Sequence, residues 1–410
     1  MSALPLTGIR VLDYAQYVAG PLATMLLADL GADVIKIEPP HGDAWRHYAS
    51  HAPGESTYFY ALNRGKRSVV LDLKTPAGRA ASNRLIATAD AVVHNFPPAR
   101  ALSFGLDQDS VRRASSQAVC VWISAFGSTG PDSGRLGYDL IAQALSGLLV
   151  ADARAGDEVP RRSGGIPFAD ITSGLLACIA VLAGLRQRGA GPPPGIEISL
   201  LGAALATQVQ RFVRPAAGPG PAAGGQVTRT DLDAIARQAA AAEELEPYYR
   251  CYQSADGFVA VACLNTAQRR QLLDLLGCAD PWAGNPQSAP AGAAERAQRS
   301  LLHRRFASAF LARPTAEWVA LLTARNVPAS EVRQLDQMFG DRQARANGLV
   351  QYLDQPGAGP VGLLGGLFKI DGSPAAAGRP APALGEHTGE VLRPADNARR
   401  PDPAAATGAD

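Results

Sequence analysis

The sequence has no long apolar run, no surplus of charge and little cysteine, and each shortage closes off a class of protein. Its formal net charge is only +2, from 39 basic and 37 acidic residues. No electrostatic field therefore invites nucleic acid or a membrane surface, and neither is expected as a partner. The longest apolar stretch, Leu175 to Leu185, contains Gly184, is too short to cross a bilayer and reads as a buried helix. The opening MSALPLTGIRVLDYAQYV lacks a basic segment followed by a long apolar core, so no signal peptide is expected. Five cysteines (Cys120, Cys178, Cys251, Cys263, Cys278) lie scattered, with no CxxC and no Cys/His run at zinc spacing. Such thiols suit a reducing, cytoplasmic setting, and no metal is expected. Also missing are GxGxxG after a strand, GxxxxGK[ST], HExxH, GxSxG and an EF-hand loop. What remains, 47% hydrophobic and 19% charged over 410 residues, is an ordinary globular chain. It is long enough for one large domain and a smaller one.

The first 125 residues alternate between strand and helix. Ile9–Asp13 (IRVLD) is a β-branched run; Pro21 opens a helix carrying Leu22, Met25, Leu26 and Leu30, and Gly31 stops it. Asp33–Glu38 (DVIKIE) completes a right-handed βαβ unit. Further strands are predicted at Ser68–Leu73, Ala91–His94 and Val119–Ser124, with helices near Pro76–Ala87 and Asp107–Arg113. This alternation predicts an α/β fold, a Rossmann-like parallel sheet with helices on both faces. Leu140–Val150 and Ile171–Leu185 read as internal helices, and Ile196–Leu201 as another strand. Residues 1–213 then form the first part of the large domain, and 214–225, rich in Pro, Gly and Ala, form a linker. A small α+β domain is predicted over 226–325, with a helix at Thr230–Glu244, a hairpin of Tyr248–Gln253 with Phe258–Leu264, and three further helices. Residues 326–395 return to complete the large domain, and 396–410 read as a loose tail.

Several stretches carry more specific information. They are Leu6–Glu38 continued as PPHGDAWR, Leu62–Lys74 (LNRGKRSVVLDLK), HNFPP at His94–Pro98, and Ile123–Gly147. Later come Gly164–Gly174 (GGIPFADITSG), Tyr252–Ala262, NVPA at Asn326–Ala329 and Pro382–Leu392. In number, order and spacing they resemble the class III CoA-transferase family, which includes formyl-CoA and carnitine CoA-transferases and related acyl-CoA racemases.

The resemblance aligns Asp170 with that family's nucleophilic aspartate. Local sequence reads the same residue as the N-cap of the helix Ile171–Leu185, and the two readings are compatible. A carboxylate at a helix N-terminus is expected to stay ionised, as attack on a thioester requires. The implied reaction transfers coenzyme A from an acyl-CoA to a small carboxylic acid through an aspartyl anhydride and an aspartyl-CoA thioester. Acyl-CoA is then a substrate, and no permanently bound cofactor is expected. The family's CoA-binding stretches fall on Gln16, Tyr17, Val18, Ala19, Leu71 to Lys74, Asn95 and Phe96, with Ser124 and Tyr138 nearby in the pattern. Among basic residues, Arg46, Arg64, Lys66, Arg67 and Lys74 are candidates for CoA phosphates, or else form a solvated basic surface. Gly164 and Gly165 are candidates for close backbone approach to the thioester oxygen. The resemblance also implies an intertwined homodimer.

The chain departs from the family's pattern at Val18, where many members carry Gln, at Ser103, where many carry Arg, and at Ser124, where formyl-CoA transferases carry Lys. The Arg-Gly-Asn stretch that opens the small domain is also missing around Gly225–Thr230. Two other functions compete: an acyl-CoA racemase on the same fold, and a catalytically silent CoA-binding subunit. Racemases of this kind need a second base, largely a histidine in a GHD stretch. Here the matching place reads Gly137-Tyr138-Asp139, and tyrosine is a much poorer base near neutral pH.

Overall fold

The structure, a computed structural model, describes residues 4–48, 56–188, 190–213, 225–284, 290 and 292–393. The chain separates into two compact units, one of residues 1–148, 162–219 and 339–410, the other of 149–161 and 220–338. In the first lie β1 (Arg10–Asp13), α1 (Ala19–Asp29), β2 (Asp33–Glu38), α2 (Thr57–Asn63), β3 (Arg67–Val70), α3 (Pro76–Ile86) and β4 (Ala91–His94). They are followed by α4 (Pro98–Phe104), α5 (Gln108–Ala114), β5 (Val119–Ser124) and α6 (Asp139–Leu145). The short α7 (Leu148–Ala151) begins at the end of this unit's first segment and runs into the second unit, and α8 (Phe168–Arg186), β6 (Gly195–Ser199) and α9 (Leu200–Ala206) continue the first. All six strands are parallel, in the order β3-β2-β1-β4-β5-β6.

Both faces of this sheet are covered, which is why β1 and β4 are buried at every position. Side chains alternate across the sheet, so neighbouring Val11 and Leu12 enter different clusters. Val11, Val34, Val93 and Val121 meet α1 and α8 through Leu22, Leu26, Ala177 and Val181. Leu12, Ile35, Val92 and Cys120 meet α3 and α5 through Leu85 and Val111. The helix expected over Leu140–Val150 is broken in two, because Gly147 takes a left-handed turn at φ +79°.

At 19 residues α8 exceeds the apolar run read from the sequence, and by length and composition it could cross a membrane. It is not buried all round, since Leu175 is 41% and Ile179 60% exposed. Its other face is tightly engaged. A Cβ at Gly174 would lie 2.7 Å from the Ala19 carbonyl oxygen on α1, and one at Gly184 would lie 2.4 Å from Val119 Cγ1 on β5.

The second unit has α10 (Arg229–Glu244), β7 (Tyr249–Gln253), β8 (Phe258–Ala262), α11 (Thr266–Leu276), α12 (Ala293–Phe310), α13 (Thr315–Thr323) and β9 (Ala329–Glu331). Tyr252, Phe306, Phe310 and Trp318 fill its core. Its limits differ from those expected at two places. β9 pairs antiparallel with β8, so this unit continues past residue 325 to Met338. Residues 149–161 also belong to it, because Val150 and Ala153 pack with Leu232 and Ala236 of α10. The returning segment holds α14 (Arg342–Ala346), the hairpins β10–β11 (Val350–Gln355, Gly359–Leu364) and β12–β13 (Phe368–Ile370, Ser373–Ala375), and α15 (Thr388–Val391). It is laced to the sheet's β3 edge by Arg67 on Glu390 and by the Val70 N–H on Thr388. Most of the linker 214–225 and the whole tail 396–410 lie outside the described residues.

Candidate active site

Strand order reverses between β1 and β4, and open α/β sheets receive ligands at the carboxyl ends of their strands where that happens. The loop Tyr14–Val18 leaves β1 there, and Asn95–Phe96 leaves β4. One amide joins them: Asn95 accepts the Gln16 N–H at 3.1 Å and donates to the Gln16 carbonyl at 2.9 Å. Between them Tyr17 is held at φ +70°, an uncommon region for a residue with a Cβ. Its N–H points to Asp43 at 3.4 Å. The Tyr17 ring meets Trp45 and Tyr138 edge-on, at 5.7 and 5.9 Å, and Trp45 stacks on Tyr58 at 5.1 Å. These rings form an aromatic wall beside the loop.

A buried ionic network fixes the loop from below. Asp13 accepts from the Ala15 N–H at 3.0 Å, Thr24 at 2.8 Å and Lys66 at 2.9 Å. Lys36 donates to the Ala15 carbonyl at 2.8 Å and pairs with Asp43 at 2.8 Å. Burial pushes Asp13 up, but Lys66 and Lys36 overcome it and hold the carboxyl below its ordinary range. Burial pulls Lys66 down to about 8 despite Asp13. Each charge here is matched inside the fold.

Asp170 is the third residue of α8, whose N-cap is Pro167 and has no side-chain cap of its own. The expectation that Asp170 caps its own helix is therefore overturned. Asp139 at the start of α6 does that work: its Oδ1 accepts the Ala169 N–H at 2.9 Å and the Asp170 N–H at 3.3 Å. Gln143 holds the other oxygen of Asp139 at 2.7 Å. Burial, and then the Asp139 charge, raise the Asp170 carboxyl to about 7, so the helix end does not keep it firmly ionised as expected. Among the described residues none donates a hydrogen bond to the Asp170 carboxyl, which is half-buried. Gly174, four residues on and hence on the same helix face, is the residue that touches the Ala19 carbonyl. The carboxyl thus stands one turn from the contact between α8 and the start of α1.

Residues 6–388 match the family described as CoA-transferase family III. The chain belongs to this family. It is 33% identical to the succinate–glutarate CoA-transferase of Agrobacterium fabrum, over 95% of each chain. It is 30% identical to the mouse succinyl-CoA:glutarate CoA-transferase, over 96% of this chain and 86% of the mouse protein. The crystal structure of Rv3272 from Mycobacterium tuberculosis superposes with a TM-score of 0.76 at 27% identity, covering 95% of this chain and 99% of that one. As a class III CoA-transferase, the protein moves coenzyme A between an acyl-CoA and an acid.

In this CoA-transferase the candidate residues do not all come together. Gln16, Tyr17, Val18 and Ala19 share one loop and helix start with Asn95 and Phe96 across the strand reversal, and Tyr138 joins them through Tyr17. Phe96 also stacks on His94, a ring that burial holds neutral, down to about 4, and whose Nδ1 accepts the Phe96 N–H. Ser124 ends β5, where its hydroxyl accepts the Gly127 N–H. Leu71 is a buried core residue of the cluster against which Phe96 also packs. The Gly165 N–H is drawn back to the Arg162 carbonyl at 3.4 Å, although Gly164 and Gly165 do take left-handed φ.

Four of the basic candidates are paired with acids inside the fold and do not form a solvated surface. Arg46 grips Glu38 with two 2.7 Å bonds, Arg64 pairs with Asp29 at 2.5 Å, and Arg67 holds Asp33 and Glu390. Of the five, Lys74 alone is exposed. Asp43, Trp45 and Asp139 were missed as site residues. Asp43 and Trp45 lie within the quoted PPHGDAWR, and Asp139 acts on a helix 31 residues away, which local pattern cannot reveal.

Proposed function

We propose that Asp170 is the nucleophile of CoA transfer. A carboxylate oxygen attacks the thioester carbonyl carbon of the donor, the C–S bond breaks, and CoA thiolate leaves an acyl-aspartyl anhydride. The thiolate then attacks the Asp170 carboxyl carbon, releasing the donor acid and leaving an aspartyl-CoA thioester. The acceptor carboxylate attacks that carbon and expels CoA thiolate. Attack of the thiolate on the acceptor's acyl carbon forms the product and returns Asp170 to a carboxylate. No net proton is consumed. The observation that carries this reading is a half-buried carboxyl without hydrogen-bond donors, one helical turn from the start of α1. A poorly solvated carboxylate is a better nucleophile than one in water.

Short dicarboxylic acids are the first acceptors to try, given the succinate and glutarate named for the relatives. CoA enters as a substrate at the aromatic wall. The protein works as a homodimer, with Leu140, Leu145, Leu175, Ile179 and Phe212 supplying exposed apolar surface for a second copy. Five free thiols suit a cytoplasmic setting. A racemase reading is not favoured, since Tyr138 stands at the place of the second base and is 65% exposed. Asp170→Ala should fold yet lose transferase activity by several orders of magnitude, read as new CoA esters by mass spectrometry. Hydroxylamine should trap the wild-type intermediate at Asp170. Transfer activity retained in the alanine variant contradicts the assignment.

A further inference from the structure

An α-helix leaves its first N–H groups without partners inside the helix, and an acid in the first turn ordinarily gains from them. Asp170 does not receive that gain. The N–H groups of Ala169 and of Asp170 itself turn to Asp139, a carboxylate delivered from α6. Asp139 is buried and braced, because Gln143 donates both to its second oxygen and to the Ile166 carbonyl just before α8. Among the described residues the cation paired with Asp139 is Arg162, at 4.0 Å and with an exposed side chain, so it neutralises the charge weakly.

We propose that Asp139 is the positioning residue of the transfer reaction: it claims the free N–H groups of α8, fixes the helix that carries Asp170, and leaves the Asp170 carboxylate poorly solvated and hence more basic and more nucleophilic. This rests on Asp170 being the nucleophile. Other ionisable groups on the elements packed against α8 are engaged elsewhere. On α1, Asp29 pairs with Arg64; on β6, Glu197 accepts from Ser128; on β5, Cys120 is buried beside the Leu106 carbonyl; α9 carries none. On α6 the acid is Asp139 itself, preceded by Tyr138, which leans on Tyr17. The rise of the Asp170 carboxyl to about 7, from burial first and Asp139 second, agrees with this arrangement. Because Tyr138 touches the CoA loop while Asp139 holds the nucleophile's helix, the first turn of α6 ties the two halves of the site together.

A cap that were only structural would need oxygen acceptors but no charge. Asparagine and serine are both good uncharged caps, so Asp139→Asn and Asp139→Ser separate the two roles. In both variants the acid limb of kcat/KM for acyl-CoA should move down by about one pH unit, as expected when a like charge is removed. The rate on the high-pH plateau should fall on the order of threefold to tenfold, following the lower basicity of the nucleophile. Titration of the Asp170 carboxyl by carbon NMR, assigned by its loss in Asp170→Asn, should shift the same way. If hydroxylamine marks Asp170 but neither the limb nor the titration moves, the proposal falls and Asp139 is a cap alone. If the trapped adduct lies on another residue, the nucleophile assignment falls and takes this proposal with it.

Discussion

Replacing Asp170 by asparagine should abolish transfer and, above neutral pH, make the protein more stable. The carboxyl is raised from 3.8 to about 7, by burial and then by Asp139. Each unit corresponds to about 1.36 kcal/mol, so ionising this group in the folded state costs about 4 kcal/mol at most. Asp170 is only half-buried, and water reaching the carboxyl reduces that to about 2 kcal/mol. A group whose folded pKa lies above its unfolded value favours folding fully below the unfolded value and loses that advantage as pH rises through the folded one. The wild type is therefore penalised above pH 7, while asparagine, neutral throughout and nearly the same shape, is not. Urea denaturation at equal protein concentration, without CoA, should show the variant ahead by about 2 kcal/mol at pH 8 and level with the wild type near pH 4. A variant that is no more stable at pH 8, or an advantage that does not change between pH 5 and 8, refutes the reasoning.

Two other substitutions probe the frame around the site. Arg64→Met strands the Asp29 carboxylate, buried with its partner, and should cost about 3–5 kcal/mol in urea denaturation, a loss below about 1 kcal/mol being contrary to a tight buried pair. Gly174→Val sets side-chain atoms against the Ala19 carbonyl, a backbone group that cannot swing away. It should cost about 1–3 kcal/mol and, by shifting Asp170 with its helix, lower kcat by about 100-fold; an unchanged kcat contradicts the placement of the nucleophile at this crossing.

The parallel sheet was legible because its strands are buried on both faces. The runs at Asp33–Glu38, Ala91–His94 and Val119–Ser124 are apolar or β-branched enough to mark their own ends. Helix α11 falls on one of the three further helices expected in the small domain, and in the structure Asn265 and Gln268 cap it reciprocally. Pairings distant in sequence were not legible. Arg64, Lys66 and Arg67 look like a cationic surface, yet their partners Asp29, Asp13 and Asp33 arrive from α1 and the strand region beside it. The sequence places Asp170 near a helix start and casts its carboxyl as the cap. The helix opens three residues earlier than expected, at Phe168 after Pro167, and the acid that caps it comes from Asp139. The short strands of the returning segment carry too much glycine and proline for alternation to show.

The left-handed Tyr17, clasped by the Gln16–Asn95 amide and by Asp43, bears on how this protein meets a large flexible ligand. Such a conformation costs of order 1–3 kcal/mol and persists only where its surroundings over-determine it. Here the bonds that hold it run to neighbours in the same fold, so the loop is ordered when the chain folds and not when coenzyme A arrives. Association then loses little conformational freedom on the protein side, and the entropy lost on binding falls chiefly on the ligand. With coenzyme A placed at this wall as proposed, the rings of Tyr17 and Trp45 are a preformed surface against which a mobile thioester comes to rest.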